Sequence, residues 1–105
     1  MDGSQVWIRA AGAGDADAVA ALAHELAQSF PFSRVTFDLS FPALLAAEDT
    51  CLLVAVAGEE CVGYLLGFAH LTFYANGSVG WVEEVLGYRE SAAYLRKLLD
   101  TAEIR

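Results

Sequence analysis

Gly80-Trp81-Val82-Glu83-Glu84-Val85-Leu86 carries the apolar and aromatic content of a buried strand, with two adjacent carboxylates at its centre. Successive side chains of a strand point to opposite faces, so a regular strand here sends one glutamate inward or into a cleft. A carboxylate in that position needs partners or a task, because burying an unpaired charge is costly. The other reading has Glu84 capping an exposed edge and Glu83 in solvent. What surrounds the pair decides between them.

Upstream, Asn76-Gly77 is a hairpin signal leading into this strand. Before it, Cys51–Ala57 and Cys61–Tyr74 read as a hairpin of buried strands closed by Gly58-Glu59-Glu60. Gly63 and Gly67 mark places for a bulge or bend in the long second strand. His70 falls among apolar neighbours there and reads as a core or edge histidine with a backbone partner. Cys51 and Cys61 lie at opposite ends of this hairpin, too far apart to bridge and without metal-site spacing. Both read as small core residues.

At the other end of the chain, Gln5-Val6-Trp7-Ile8-Arg9 alternates polar and apolar, which predicts a first strand broken by Ala11-Gly12-Ala13-Gly14. Asp15 then looks like a helix N-cap, with Asp17 adding negative charge to the first turn. Val19, Leu22, Ala23, Leu26 and Phe30 recur at helical steps and predict one buried face. His24 falls on the opposite side and reads as a surface histidine. Phe30-Pro31-Phe32 ends the helix and leaves two aromatics in a loop, suited to core packing or to a substrate wall. A second helix is expected from Ser40, as N-cap, to about Ala47, with Pro42 in its first turn where a missing N–H is harmless.

Composition bounds the function. The 105 residues suit one domain, and 56% hydrophobic residues with a mean hydropathy of +0.42 supply a core. No apolar run approaches the roughly 20 residues of a bilayer span, and the polar start Met1-Asp2-Gly3-Ser4 is no secretory signal. A soluble, cytoplasmic protein is expected. The net charge of -8 argues against nucleic acid or an anionic membrane as partner, and suits a cationic small molecule or a basic peptide.

The order strand, helix, phenylalanine loop, helix, and antiparallel meander ending in Trp81-Val82-Glu83-Glu84-Val85 resembles the GNAT superfamily of acetyl-CoA-dependent N-acetyltransferases. Ile8-Arg9-Ala10-Ala11 with Asp15, Val62-Gly63-Tyr64, and Trp81–Val85 carry the resemblance, which covers Val6 to Leu86. It implies an α/β fold of the α+β type: a mixed, mainly antiparallel sheet with flanking helices, shortened in its C-terminal half. It also implies acetyl-CoA as co-substrate and an amine of a small molecule or peptide as acceptor. Backbone groups of Val85 and Leu86 would then contact the cofactor, and Glu83 or Glu84 would take the proton of the amine. Phe30, Phe32 and Tyr74 would form the substrate wall.

One family signature is missing from its expected place. A glycine-rich loop should follow the Glu83-Glu84 strand and open a helix whose N–H groups hold the pyrophosphate. Instead Leu86-Gly87-Tyr88-Arg89-Glu90-Ser91-Ala92-Ala93-Tyr94 resembles the family's last strand, so residues 87–105 read as its C-terminal strand and tail. The spacing of Ala92, Leu95, Leu98, Leu99 and Ala102 predicts a helix over the same residues. Three functions follow: an acetyltransferase, a non-catalytic module of the same ancestry that forms a homodimer or binds a partner through an exposed edge or apolar face, or a small-ligand sensor.

Overall fold

The computed structural model of the protein describes residues 6–87. Four strands, Val6–Ala10 (β1), Thr50–Ala57 (β2), Glu60–Thr72 (β3) and Gly77–Leu86 (β4), form one sheet in the order β1-β2-β3-β4. All three pairings are antiparallel. Two helices, Ala16–Leu26 (α1) and Arg34–Ala46 (α2), are inserted between β1 and β2. This is the α+β architecture that the resemblance implies, with every pairing among the described residues antiparallel. No helix of the described residues is long and apolar enough to cross a membrane.

The alternation of β2 and β3 divides the core between the two faces of the sheet. Leu52, Val54, Tyr64 and Leu66 join Val19 and Leu22 of α1 and Phe41 of α2 on the helix side. Val6, Leu53, Ala55, Ala57, Val62 and Leu65 gather on the opposite side. Both faces of the central strands are therefore apolar, which is why β2 reads as a continuous run rather than as an alternation.

Arg9 and Asp15 fix how β1 enters the helices. The Arg9 guanidinium donates to both Asp15 carboxylate oxygens, at 2.7 and 2.8 Å, and the Gly12 N–H donates to the same carboxylate at 2.7 Å. Forked pairing of this kind fixes orientation as well as adding charge-assisted energy. Asp15 precedes α1 as its N-cap residue, but its side chain makes no cap hydrogen bond because it is committed to Arg9 and to a 3₁₀ turn at Ala13–Asp15.

The second helix departs from expectation. It begins at Arg34, where the Ser33 hydroxyl accepts the Thr36 N–H at 3.2 Å, and not at Ser40. Arg34 and Asp38 form an ion pair one turn apart along its surface. Pro42 therefore lies inside the helix rather than in its first turn, and its missing N–H leaves the Asp38 carbonyl without that intrahelical donor. Phe30 is a second correction. The first helix stops at Leu26 with extended backbone at Ala27, and Pro31 disfavours helix at the residue before it. Phe30 is 80% exposed and belongs to the loop, not to the buried face of the helix.

Two turns shape the meander. Ala57 pairs with Glu60, so the β2–β3 connection is the two-residue turn Gly58-Glu59, with Gly58 at φ +65°. β3 ends at Thr72, earlier than the Tyr74 expected, and residues 73–76 form the next turn with Asn76 at φ 59°.

Candidate active site

The register of β3 against β4 slips at the glutamate pair. Leu66 pairs with Glu84, but Gly67 pairs with Val82, so Glu83 is an extra residue on β4. A bulge of this kind bends the strand and re-aims side chains. Leu66 and Phe68 share the helix-side face of β3, and their partners Glu84 and Trp81 share it on β4 although three positions apart. The regular alternation assumed from sequence is broken here, and Glu83 remains exposed at the bulge. Gly67 permits the distortion: a Cβ at this position would stand 3.2 Å from the Trp81 carbonyl oxygen. A second slip, between Ala55 and Val56, falls beside Gly63. Both glycines that marked possible bulges thus adjoin one.

Glu84 is half-buried and reaches a cleft of about 390 Å³ between the helices and the sheet. Its Oε1 accepts a 2.6 Å hydrogen bond from the Tyr64 hydroxyl on β3. Tyr64, Leu52 and Leu66 of the sheet line one side of the cleft, and Val19 and Ala23 of α1 another. The remaining wall is aromatic. Phe32, Phe37 and Phe41 form a row with ring centroids 5.9 and 5.3 Å apart, and His24 stacks on Phe32 at 5.0 Å.

Charges around the cleft are unevenly committed. Burial, and then the hydrogen bond to Glu84, push the Tyr64 phenol far above its ordinary range. It therefore stays protonated and donates at any working pH. Glu84 is the only carboxylate that the described residues contribute to the lining. Arg9 and Arg34 are the only arginine or lysine side chains of the described residues. Arg9 is held by Asp15; Arg34 binds Asp17 and Asp38, each at 2.7 Å, and lies over the Phe37 ring at 5.6 Å from its centroid.

The cleft brings Phe30, Phe32 and Glu84 together and leaves Tyr74 apart, 81% exposed in the β3–β4 turn. Val85 and Leu86 split between the faces: Val85 pairs with Leu65 and packs on the far side, while Leu86 pairs with Tyr64 and packs toward the helices. In an antiparallel ladder, adjacent residues alternate in which edge their N–H and C=O address. One of these two therefore points its main-chain groups away from β3, along a strand that is the sheet edge among the described residues. Sequence reasoning missed Tyr64, Phe37 and Phe41 as site residues. A tyrosine hydroxyl inside an aliphatic strand was the available signal, since a buried phenol seeks a partner. His70 is exposed, and Cys51 and Cys61 are half-buried without a disulfide. Residues 88–105, with Tyr88, Tyr94, Arg89, Arg96 and Lys97, lie outside the described residues, as does the choice between strand and helix there.

No protein-family model and no curated protein sequence matches the chain. Solved structures do. A GNAT family acetyltransferase from Staphylococcus aureus superposes with a TM-score of 0.79 over 95% of this chain and 77% of its own, at 14% identity. The fold is the GNAT fold. A possible acetyltransferase from Clostridium difficile shares it, with a TM-score of 0.79 at 19% identity, covering 94% of this chain and 69% of that one. So does the aminoglycoside 6'-N-acetyltransferase AAC(6')-IG from Acinetobacter haemolyticus, with a TM-score of 0.75 at 16% identity over 93% of this chain and 69% of that one. At these identities the likeness is one of GNAT fold.

Proposed function

We propose that this chain is an N-acetyltransferase that transfers an acetyl group from acetyl-CoA to a primary amine of a small molecule or peptide. One observation carries the reading: on a GNAT fold, the Glu84 carboxylate lines an apolar cleft beside a strand bulge and is held there by a protonated tyrosine. An alkylammonium has no free lone pair and cannot attack until it loses a proton, so a carboxylate within reach of the amine is what the chemistry requires. Tyr64 engages Oε1, which leaves Oε2 to pair with the ammonium and accept that proton. The low-dielectric walls strengthen this pairing.

Acetyl-CoA would supply the acetyl group as a thioester. The outward main-chain groups of Val85 or Leu86, which directly follow Glu84 on β4, would hold the acyl end and polarise its carbonyl. The described residues fit that end of the molecule. Its pyrophosphate finds no match among them, since both arginines are already paired with aspartates.

The test follows thiol release from acetyl-CoA with a panel of primary amines. Glu84→Gln, which keeps the shape and loses the base, is expected to lower kcat/KM by about 10²-fold or more, whereas Glu83→Gln, on the exposed bulge, leaves it near wild type. A Glu84→Gln variant with the wild-type rate would remove Glu84 from the reaction.

A second reading rests on a different observation. Leu71, Phe73, Tyr74 and Trp81 are all exposed at the outer end of the β3–β4 ribbon, which favours self-association. A homodimer that turns over no amine and has no affinity for acetyl-CoA would make this a non-catalytic binding module.

A further inference from the structure

We infer that the amine taken by this cleft is a monocation on a small, apolar, aromatic body that carries no carboxylate. Turnover of such an amine rests on the acetyltransferase reading above; its binding rests on the cleft alone.

The number of charges comes from Glu84. With one carboxylate in the lining among the described residues, one ammonium finds a counter-charge. A second or third ammonium on the same molecule would lose its hydration against Phe32, Phe37 and Phe41, and ring faces alone repay less of that cost than a carboxylate does. Polyamines and polycationic sugars are selected against.

Absence of a carboxylate comes from the arginines. Recognition of an amino acid requires a cation for its α-carboxylate, and Arg9 and Arg34 are the candidates among the described residues. Asp15 occupies the first with a two-pronged pair, and Asp17 with Asp38 occupies the second. An α-carboxylate in the cleft would meet Glu84 instead, and like charges in a low-dielectric site repel.

The body follows from the wall. The row of three rings offers offset and tilted faces to a planar apolar group. Aromatic faces also attract the ammonium itself. A volume of about 390 Å³ stands at the small end of ligand pockets, which suits one ring and a short chain.

The experiment uses the full chain and five probes: 2-phenylethylamine, its neutral analogue 2-phenylethanol, ethylamine, phenylalanine and spermidine. Binding is followed by calorimetry without acetyl-CoA, and acetylation by thiol release. We expect 2-phenylethylamine to bind at least about tenfold more tightly than each of the others, with the same rank among the amines in kcat/KM. Glu84→Gln is expected to weaken 2-phenylethylamine by about tenfold or more and to leave 2-phenylethanol unchanged. Phe32→Leu, on the half-buried rim, is expected to weaken 2-phenylethylamine but not ethylamine. Spermidine or phenylalanine binding as tightly as 2-phenylethylamine would overturn the inference, as would an unchanged affinity in Glu84→Gln or no binding of any probe. Acetylation led by spermidine would overturn it while leaving the acetyltransferase reading intact. The expected binding order without any turnover would support the ligand class and sink the transferase.

Discussion

The Tyr64 hydroxyl donates a 2.6 Å hydrogen bond to Glu84 Oε1 from the neighbouring strand, at a position diagonal to it in the register. A bond this short between a neutral O–H and a carboxylate is charge-assisted and holds one rotamer of each partner. Tyr64 is among the most deeply buried side chains, so its ring is part of the core and only its hydroxyl serves the cleft.

That division of labour makes Tyr64→Phe an informative variant. The ring stays packed, the carboxylate keeps its charge, and the fixed orientation is lost. We expect kcat to fall by about tenfold, with KM for the amine nearly unchanged, and stability to drop by about 1–2 kcal/mol. Steady-state kinetics and a urea titration read both. An unchanged kcat would show that the hydroxyl serves packing alone.

Gly67→Ala tests the bulge. The added methyl would meet the Trp81 carbonyl at 3.2 Å, and a main-chain atom in a paired strand has little room to move. We expect a loss of about 1–3 kcal/mol, as for other overpacked sites, and a fall in kcat because β4 shifts beneath Glu84. Gly80→Ala is the control, since nothing stands within 4 Å of its Cβ position. Equal urea midpoints for the two variants would count against a bulge that depends on Gly67.

Acid stability depends on the Arg9–Asp15 clamp. Hydrogen bonding to Arg9, supported by the Gly12 N–H and by the charge of the guanidinium, holds the Asp15 carboxyl below its usual range against the opposing effect of burial. A carboxyl depressed in the native state binds its proton more readily when unfolded. Its contribution is therefore complete above the ordinary value near about 4 and is lost as pH falls through the native value below that. Asp15→Asn is expected to be less stable by about 1 kcal/mol at neutral pH, with a shallower decline below pH about 4. Chemical denaturation across that range measures it; parallel curves for the two proteins would exclude the clamp.

The meander was legible in the sequence because its turns and its bulge carry residues with one physical meaning. Gly58 at φ +65° and Asn76 at φ 59° are left-handed positions, and Gly67 sits against a main-chain oxygen. The first helix was legible by its spacing up to Leu26. Beyond that, the pattern misled. Phe30 continues the apolar period by coincidence while the backbone has already turned extended. Pro42 looked like the start of the second helix because proline is most at home there, yet Ser33 caps the helix earlier and Phe37 and Phe41, one turn apart, build the aromatic wall. The paired glutamates announced a site, but which of them faces the cleft depends on the bulge, a property of two strands together. The contact between Tyr64 and Glu84 spans 20 positions and has no local signature.

The most direct test of the account is a calorimetric titration of the 105-residue protein with acetyl-CoA. The acetyltransferase reading predicts saturable binding at one site in the micromolar range, with desulfo or acetate-only probes far weaker. No binding up to millimolar acetyl-CoA would contradict it, and would leave a GNAT fold whose cleft serves a purpose other than acetyl transfer.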